Sequence, residues 1–238
     1  MYTNNIFESN TLLFKKNRKV YPIKVDEIVY LSKRNGITYV HLSDGEIKEY
    51  RYVSFIRIIS DSCNQHLFMC NKSTIVNIKY IYALDPTNCF VVLKENRGLL
   101  DVGGAYCNRL VNNIEQLCES SREEKFFLIR NHSIRYLIEL KELSHVESFE
   151  RYMHIYLLDG SEIKVSQKPI RYLLDIVNSD KLIFCARGIA VYMENVSAID
   201  FTHWSIILQN GRIIKIGEIY RKKLKEVWKK IKEERSKI

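Results

Sequence analysis

Apolar positions along this chain follow two rhythms that alternate in a fixed order. TYVHLSDGEIKEY (38–50) and HIYLLDGSEIKV (154–165) switch between apolar and polar residues with a period of two around an Asp-Gly pair. That period puts alternate side chains on opposite faces of a strand, and Asp-Gly tolerates the positive φ of a tight turn. Each run therefore predicts a β-hairpin. CFVVLKENRGLLDV (89–102) and WSIILQNGRIIKI (204–216) predict a second hairpin each, the latter turning at Asn210–Gly211. Val and Ile dominate these runs, as a half-buried pleated surface prefers. The rhythm then becomes helical, with Tyr106, Leu110, Ile114 and Leu117 forming one stripe and Tyr220, Leu224, Trp228 and Ile231 another. VSFIRII (53–59) and PIRYLLDIV (169–177) predict a short helix after each first hairpin.

The order repeats because the chain does. A shift of 115 residues lays Glu27 on Glu142, Asp44–Gly45 on Asp159–Gly160, Cys70 on Cys185, Val76 on Val191, Asp85 on Asp200 and Leu93 on Leu208. A shift of 114 lays LLDVGGAYCNRL (99–110) on IIKIGEIYRKKL (213–224). Spacing that persists through half the chain predicts two tandem copies of one small domain, residues 1–120 and 121–238, meeting at the polar segment ESSREEK. The predicted fold class is mainly β with short helices (α+β), each copy closing with an amphipathic helix.

Charge refines this picture. The 238 residues carry a net +9, enough to favour an acidic partner. Nine basic and three acidic residues lie in 221–238, whereas 120–220 carries 13 of each and is neutral. The six cysteines form no C-x-x-C pair, and no Cys/His cluster has zinc-ligand spacing, so no metal and no cofactor is expected. MYTNNIFESN lacks a secretory signal's basic and apolar regions, and no apolar run is long enough to span a bilayer. The expectation is a cytoplasmic protein with reduced thiols and no membrane partner. No nucleophile, metalloprotease, phosphate-loop or dinucleotide motif is present, which argues against an enzyme.

Copy one carries the more specific pattern. KVYPIKVDEIVYL, a hairpin, a short helix, LFMCNKSTIVNIKYIYAL and a hairpin ending in DVGGAYCNRL together resemble the LytTR DNA-binding domain. That family is read as a D-I-x-Y-I-E-like opening strand, an F-x-R-x-H-R-S-x-I-V-N core and a V-S-R helix start. Here the core stands as F-M-C-N-K-S-T-I-V-N (68–77) and, more divergently, as I-F-C-A-R-G-I-A-V-Y (183–192). Tyr192 replaces the asparagine found at Asn77, and Gly104 and Glu218 stand where the V-S-R arginine would be. The resemblance implies a bacterial transcription regulator that binds duplex DNA, a promoter or operator, through loops rather than a recognition helix.

Carried over by position, the loop before the first hairpin turn falls on Lys33, Arg34 and Asn35, and in copy two on Phe149, Glu150 and Arg151. The H-R-S triplet falls on Asn71, Lys72 and Ser73, and on Ala186, Arg187 and Gly188. The helix start gives Gly103, Gly104, Asn108 and Arg109, and in copy two Gly217, Glu218, Lys222 and Lys223, with Arg221 supplying further positive field. Lys72 can neutralise a phosphate or meet guanine, the asparagines can pair with adenine, and Arg187 suits a bidentate contact. Glu150 and Glu218 would repel phosphate. Set against these are plainer readings: Lys33–Arg34–Asn35 as a polar turn, Lys72 as a solvated loop residue, Asn77 as a loop tie. His41, His154 and His203 read as strand residues, and Cys70 and Cys185 as small core residues. Two functions stay open, a regulator gripping neighbouring half-sites with both copies, and a non-enzymatic module that binds a regulatory protein after one or both copies lost DNA binding.

Overall fold

The computed structural model describes residues 10–60, 66–120 and 126–236. The N-terminal nine residues and positions 121–125 of the predicted junction lie outside the described residues. The chain divides into two compact units, Met1–Leu117 and Cys118–Ile238.

Unit 1 opens with the hairpin β1 (Thr11–Lys16) and β2 (Lys19–Lys24), turned by Asn17 and Arg18, both at positive φ. Next come β3 (Ile28–Arg34), β4 (Ile37–Leu42), β5 (Ile47–Arg51), α1 (Phe55–Ser60), β6 (Leu67–Asn71) and β7 (Thr74–Asn77). They build an antiparallel sheet of order β5-β4-β3-β7-β6. The meander β8 (Ile81–Asp85), β9 (Phe90–Leu93) and β10 (Leu99–Asp101) follows, then α2 (Gly104–Ser120). Phe14 and Ile23 of the first hairpin, Leu31, Val40 and Ile75 of the sheet, and Phe55 and Ile58 of α1 share one core. Phe14 stacks on Tyr50 at 4.6 Å. Leu110 and Ile114 of the α2 stripe are buried.

Unit 2 has the same succession. Hairpin β11 (Phe126–Asn131) and β12 (Ile134–Glu139) precedes β13 (Leu143–Phe149), β14 (Tyr152–Leu157), β15 (Glu162–Ser166), α3 (Ile170–Val177), β16 (Leu182–Ala186) and β17 (Ile189–Tyr192). Sheet order is β15-β14-β13-β17-β16. A meander of β18 (Val196–Asp200), β19 (Ser205–Leu208) and β20 (Ile213–Lys215) leads to α4 (Arg221–Arg235). Leu224, Trp228 and Ile231 of α4 close over Ile183, Cys185, Val191, Ile206 and Ile214. Cys70 and Cys185 are fully buried, and burial pushes both thiols up to about 12.

Two stretches add to the sequence reading and one residue departs from it. Within KVYPIKVDEIVYL a 3-10 turn at Val25–Glu27 separates β2 from β3, which belong to different sheets. A long-range tie sets that break. Asn77 Nδ2 donates to Val25 O and Ile28 O, both at 2.9 Å, while its Oδ1 accepts from Lys79 N. In unit 2 Tyr192 does not leave the corresponding break at Leu140–Glu142 untied. Asn195, three residues on, donates to Lys141 O and Leu143 O, both at 2.7 Å. His203 lies in the β18–β19 turn rather than in a strand. Asp200 Oδ1 accepts the Thr202 and His203 amides, ending β18 in a side-chain-capped turn.

Candidate nucleic-acid interface

Three turns of unit 1 meet at one end of its five-stranded sheet. Arg34 pairs with Ile37 across a two-residue turn of Asn35 and Gly36, at φ 51° and 74°. Both central residues need positive φ in such a turn, which Asn-Gly supplies at low cost. Lys33, Arg34 and Asn35 are exposed there. Lys72 and Ser73 form the β6–β7 turn, and Lys33 N donates to Ser73 O at 2.8 Å, so the two turns lie side by side. The third element joins through Gly103, whose amide donates to Cys70 O at 2.9 Å. A Cβ on Gly103 would sit 3.3 Å from the Tyr106 ring and 3.6 Å from Asn71 Cβ. The missing side chain thus lets the start of α2 approach β6, whereas Gly104 faces open space.

Asn71 frames this end as well as lining it. Its Oδ1 accepts from Ser73 N at 2.8 Å and its Nδ2 donates to Asp101 O at 3.0 Å. One lone pair and one N–H of the amide remain for a base edge. Asn108 and Arg109 are exposed on the second turn of α2, together with Gly104 and Ala105. The end therefore presents Lys33, Arg34 and Lys72 on two adjacent turns, with the start of α2, which carries the exposed Arg109 on its second turn, joined to them through Gly103. The β5–α1 turn lies at the same end, since Ile37 pairs with Arg51 and Lys33 Nζ reaches Val53 O at 3.4 Å. No signal in the sequence marked that turn.

Unit 2 reproduces the scaffold with other side chains. Ser148 N donates to Gly188 O at 2.7 Å, and Gly217 N to Cys185 O at 2.8 Å, aligning the same three elements. A Cβ on Gly188 would come within 3.3 Å of Ser148 O, and its φ is 72°, so glycine serves both turn and approach. Arg151 and Arg187 are exposed at the two turns, but so are Glu150 and Glu218. Phe149 and Ile219, 65% and 83% exposed, stand in the first and third elements. The unit 2 end is thus near neutral and carries two bare apolar side chains.

Of the α4 cations assigned from the sequence, Lys222 and Lys223 are exposed, whereas Arg221 is half-buried. The Arg221 guanidinium lies 4.5 Å from the Trp204 ring, and its Nε finds no acceptor among the described residues. In unit 1 the matching positions hold Cys89 and Cys107, whose sulfurs both lie against Pro86 O, at 3.7 and 3.5 Å. Packing between meander and helix fills this place in both units. Among the described residues no group of His, Cys, Asp and Glu is placed to hold a metal, and no helix is long and apolar enough to cross a membrane.

The family model of the LytTr DNA-binding domain matches residues 18–115 and again 133–229. None of the curated proteins matches the chain. Among solved structures, a LytTr DNA-binding domain from Bacillus cereus is 18% identical, with a TM-score of 0.38, covering 44% of this chain and 96% of that one. Each family match spans the three turns of its own unit, so this chain belongs to the LytTR family of DNA-binding domains and carries the domain twice in tandem.

Proposed function

We propose that the chain is a sequence-specific, duplex-DNA-binding transcription regulator whose two domains take neighbouring half-sites unequally, unit 1 reading sequence and unit 2 mainly adding grip. The observation that carries this reading is the contrast between two equivalent ends. Unit 1 offers Lys33, Arg34 and Lys72 on two adjacent turns, whereas unit 2 offers Arg151 and Arg187 against Glu150 and Glu218. Phosphate contacts position a protein on the duplex and base contacts specify the site, so an end lined by carboxylates is poorly suited to either. Lys222 and Lys223 of α4 suit phosphate attraction without base choice. Covalent linkage supplies the second domain at high effective concentration, which raises avidity without new contacts.

Selection from random duplexes with the purified full chain, followed by footprinting, is the test. The expected product is one well-defined half-site beside a weakly specified one. Repeating the selection with Lys72→Ala should blur the defined half-site, and with Arg187→Ala should leave it sharp. The opposite pattern would make Arg187 the principal reader. A second reading, docking of a protein on unit 2, draws on Phe149 and Ile219, which are more exposed than a solvated DNA-binding turn requires. Phe149→Ser combined with Ile219→Ser would then leave DNA affinity unchanged while abolishing capture of that partner.

A further inference from the structure

The β5–α1 turn of unit 1 holds Tyr52 with 95% of its surface exposed. A tyrosine ring usually buries much of its area, because its apolar body contributes more in a core than in water. Its backbone is also unusual for a bulky residue, at φ 59°. The turn itself demands that conformation, for the equivalent Gln167 of unit 2 has φ 54°. Asn or Gly would fit it with less strain. Tyr52 is thus an aromatic side chain held on a strained backbone and almost uncovered by the described residues.

Register fixes where it stands. Ile37 pairs with Arg51, so the residue after Arg51 comes level with the Asn35–Gly36 turn. Lys33 Nζ to Val53 O, 3.4 Å, ties the following residue to the same end. Arg51 and Arg57 are exposed on either side. We infer that the β5–α1 turn is a fourth DNA-contacting element of unit 1, in which Tyr52 lies against the duplex. Its ring packs on deoxyribose or a thymine methyl and its hydroxyl donates to a phosphate oxygen, with Arg51 and Arg57 neutralising the flanking backbone. This rests on unit 1 being the reading unit.

The test uses the full chain and the duplexes that the wild-type protein enriches from a random pool. Tyr52→Ala should weaken binding about tenfold, within the range of one good contact. Tyr52→Phe should lose less, since only the hydroxyl is removed. Tyr52→Gly should bind as poorly as the alanine variant while melting at a higher temperature, because glycine relieves the positive φ; a merely structural tyrosine would not separate the two readouts. Hydroxyl-radical footprints of the alanine variant should lose one patch of backbone protection. Wild-type affinity and protection in Tyr52→Ala, with Lys72→Ala still impaired, would overturn the inference and leave the reading unit standing. Binding insensitive to both substitutions would overturn unit 1 as the reader and the inference with it.

Discussion

Replacing Arg34 and Lys72 together by alanine tests whether the adjoining turns of unit 1 grip phosphates. The Lys33–Ser73 hydrogen bond of 2.8 Å holds the two turns side by side, and both side chains are exposed. Each neutralised phosphate releases counterions and contributes about 0.9 to the slope of log K against log salt. Losing two such contacts should flatten the slope by about 1.8 and reduce affinity about thirtyfold at roughly 0.15 M salt, or about 2 kcal/mol. The deficit should fade toward 1 M salt, where the counterion contribution vanishes. Any part of the deficit that persists there measures a base-edge contact made by Lys72 in addition to its phosphate contact, the part that sharpens the unit 1 half-site. Fluorescence anisotropy titrations at several salt concentrations measure both quantities. Lys48→Ala serves as the control, because Lys48 lies near the opposite turn and is paired with Glu46 at 3.2 Å. An unchanged slope in the double variant would refute phosphate contact at this end.

Acid should weaken unit 2 through His145, which is buried in β13 and whose imidazole is pushed from 6.5 down to about 3, by burial first and Arg212 second. The unfolded chain then binds the extra proton, so stability is complete above about 6.5 and falls as pH drops toward 3; between pH 7 and about 4.5 this group alone should remove on the order of 2 kcal/mol. Urea unfolding of the full chain across that range measures it, and a pH-independent midpoint for the unit 2 transition would contradict it. Asn195→Ala leaves the buried Leu143 carbonyl and the part-buried Lys141 carbonyl without this donor and should destabilise unit 2 by about 1–3 kcal/mol, read by thermal or chemical denaturation. Arg221→Ala should lower the melting temperature through loss of the Trp204 contact, worth about 0.5–2 kcal/mol, with the DNA salt slope unchanged, whereas Lys222→Ala should do the reverse.

What was legible in the sequence was what local chemistry decides. Asp44–Gly45, Asp159–Gly160 and Asn210–Gly211 announce hairpins because the residues that turn the chain are adjacent to each other. The stripe Leu224–Trp228–Ile231 announces a helix because its apolar face recurs within four residues. The break between β2 and β3 was not legible, since Asn77 makes it from 49 and 52 residues away. Tyr52 was hidden for a similar reason. Nothing in RYVSFIRII separates an exposed tyrosine from a buried one until strand register places it past the end of β5. At Arg221 the sequence showed a cation in a basic run, but only the fold brings Trp204, seventeen positions earlier, beneath it.

The two units differ in different ways inside and outside. Inside, a change at one position is met by a change at its contact. Tyr30 stacks on His41 across β3 and β4 at 3.8 Å, and at the same two places in unit 2 His145 stacks on Tyr156 at 4.5 Å. Asn77 and Tyr80 tie the β2–β3 break, with Tyr80 OH donating to Asp26 O at 2.6 Å; unit 2 has Tyr192 and Asn195 at those places, and the asparagine still does the tying. The ring stack and the asparagine's tie to two carbonyls both survive while the residue identities reverse. The ends of the sheets differ in net charge instead. Where unit 1 has Arg34, Asn35 and Gly104, unit 2 has Phe149, Glu150 and Glu218, and the arginine regained at Arg151, in the place of Gly36, leaves both added carboxylates and the bare ring in place. Packing constrains a contact from both sides, whereas an exposed turn is constrained only by what it binds. Exchange of partners beneath the surface, beside a change of charge at the turns, is what two domains holding one fold but meeting different surfaces should display. That pattern favours unequal half-site engagement over two equivalent grips.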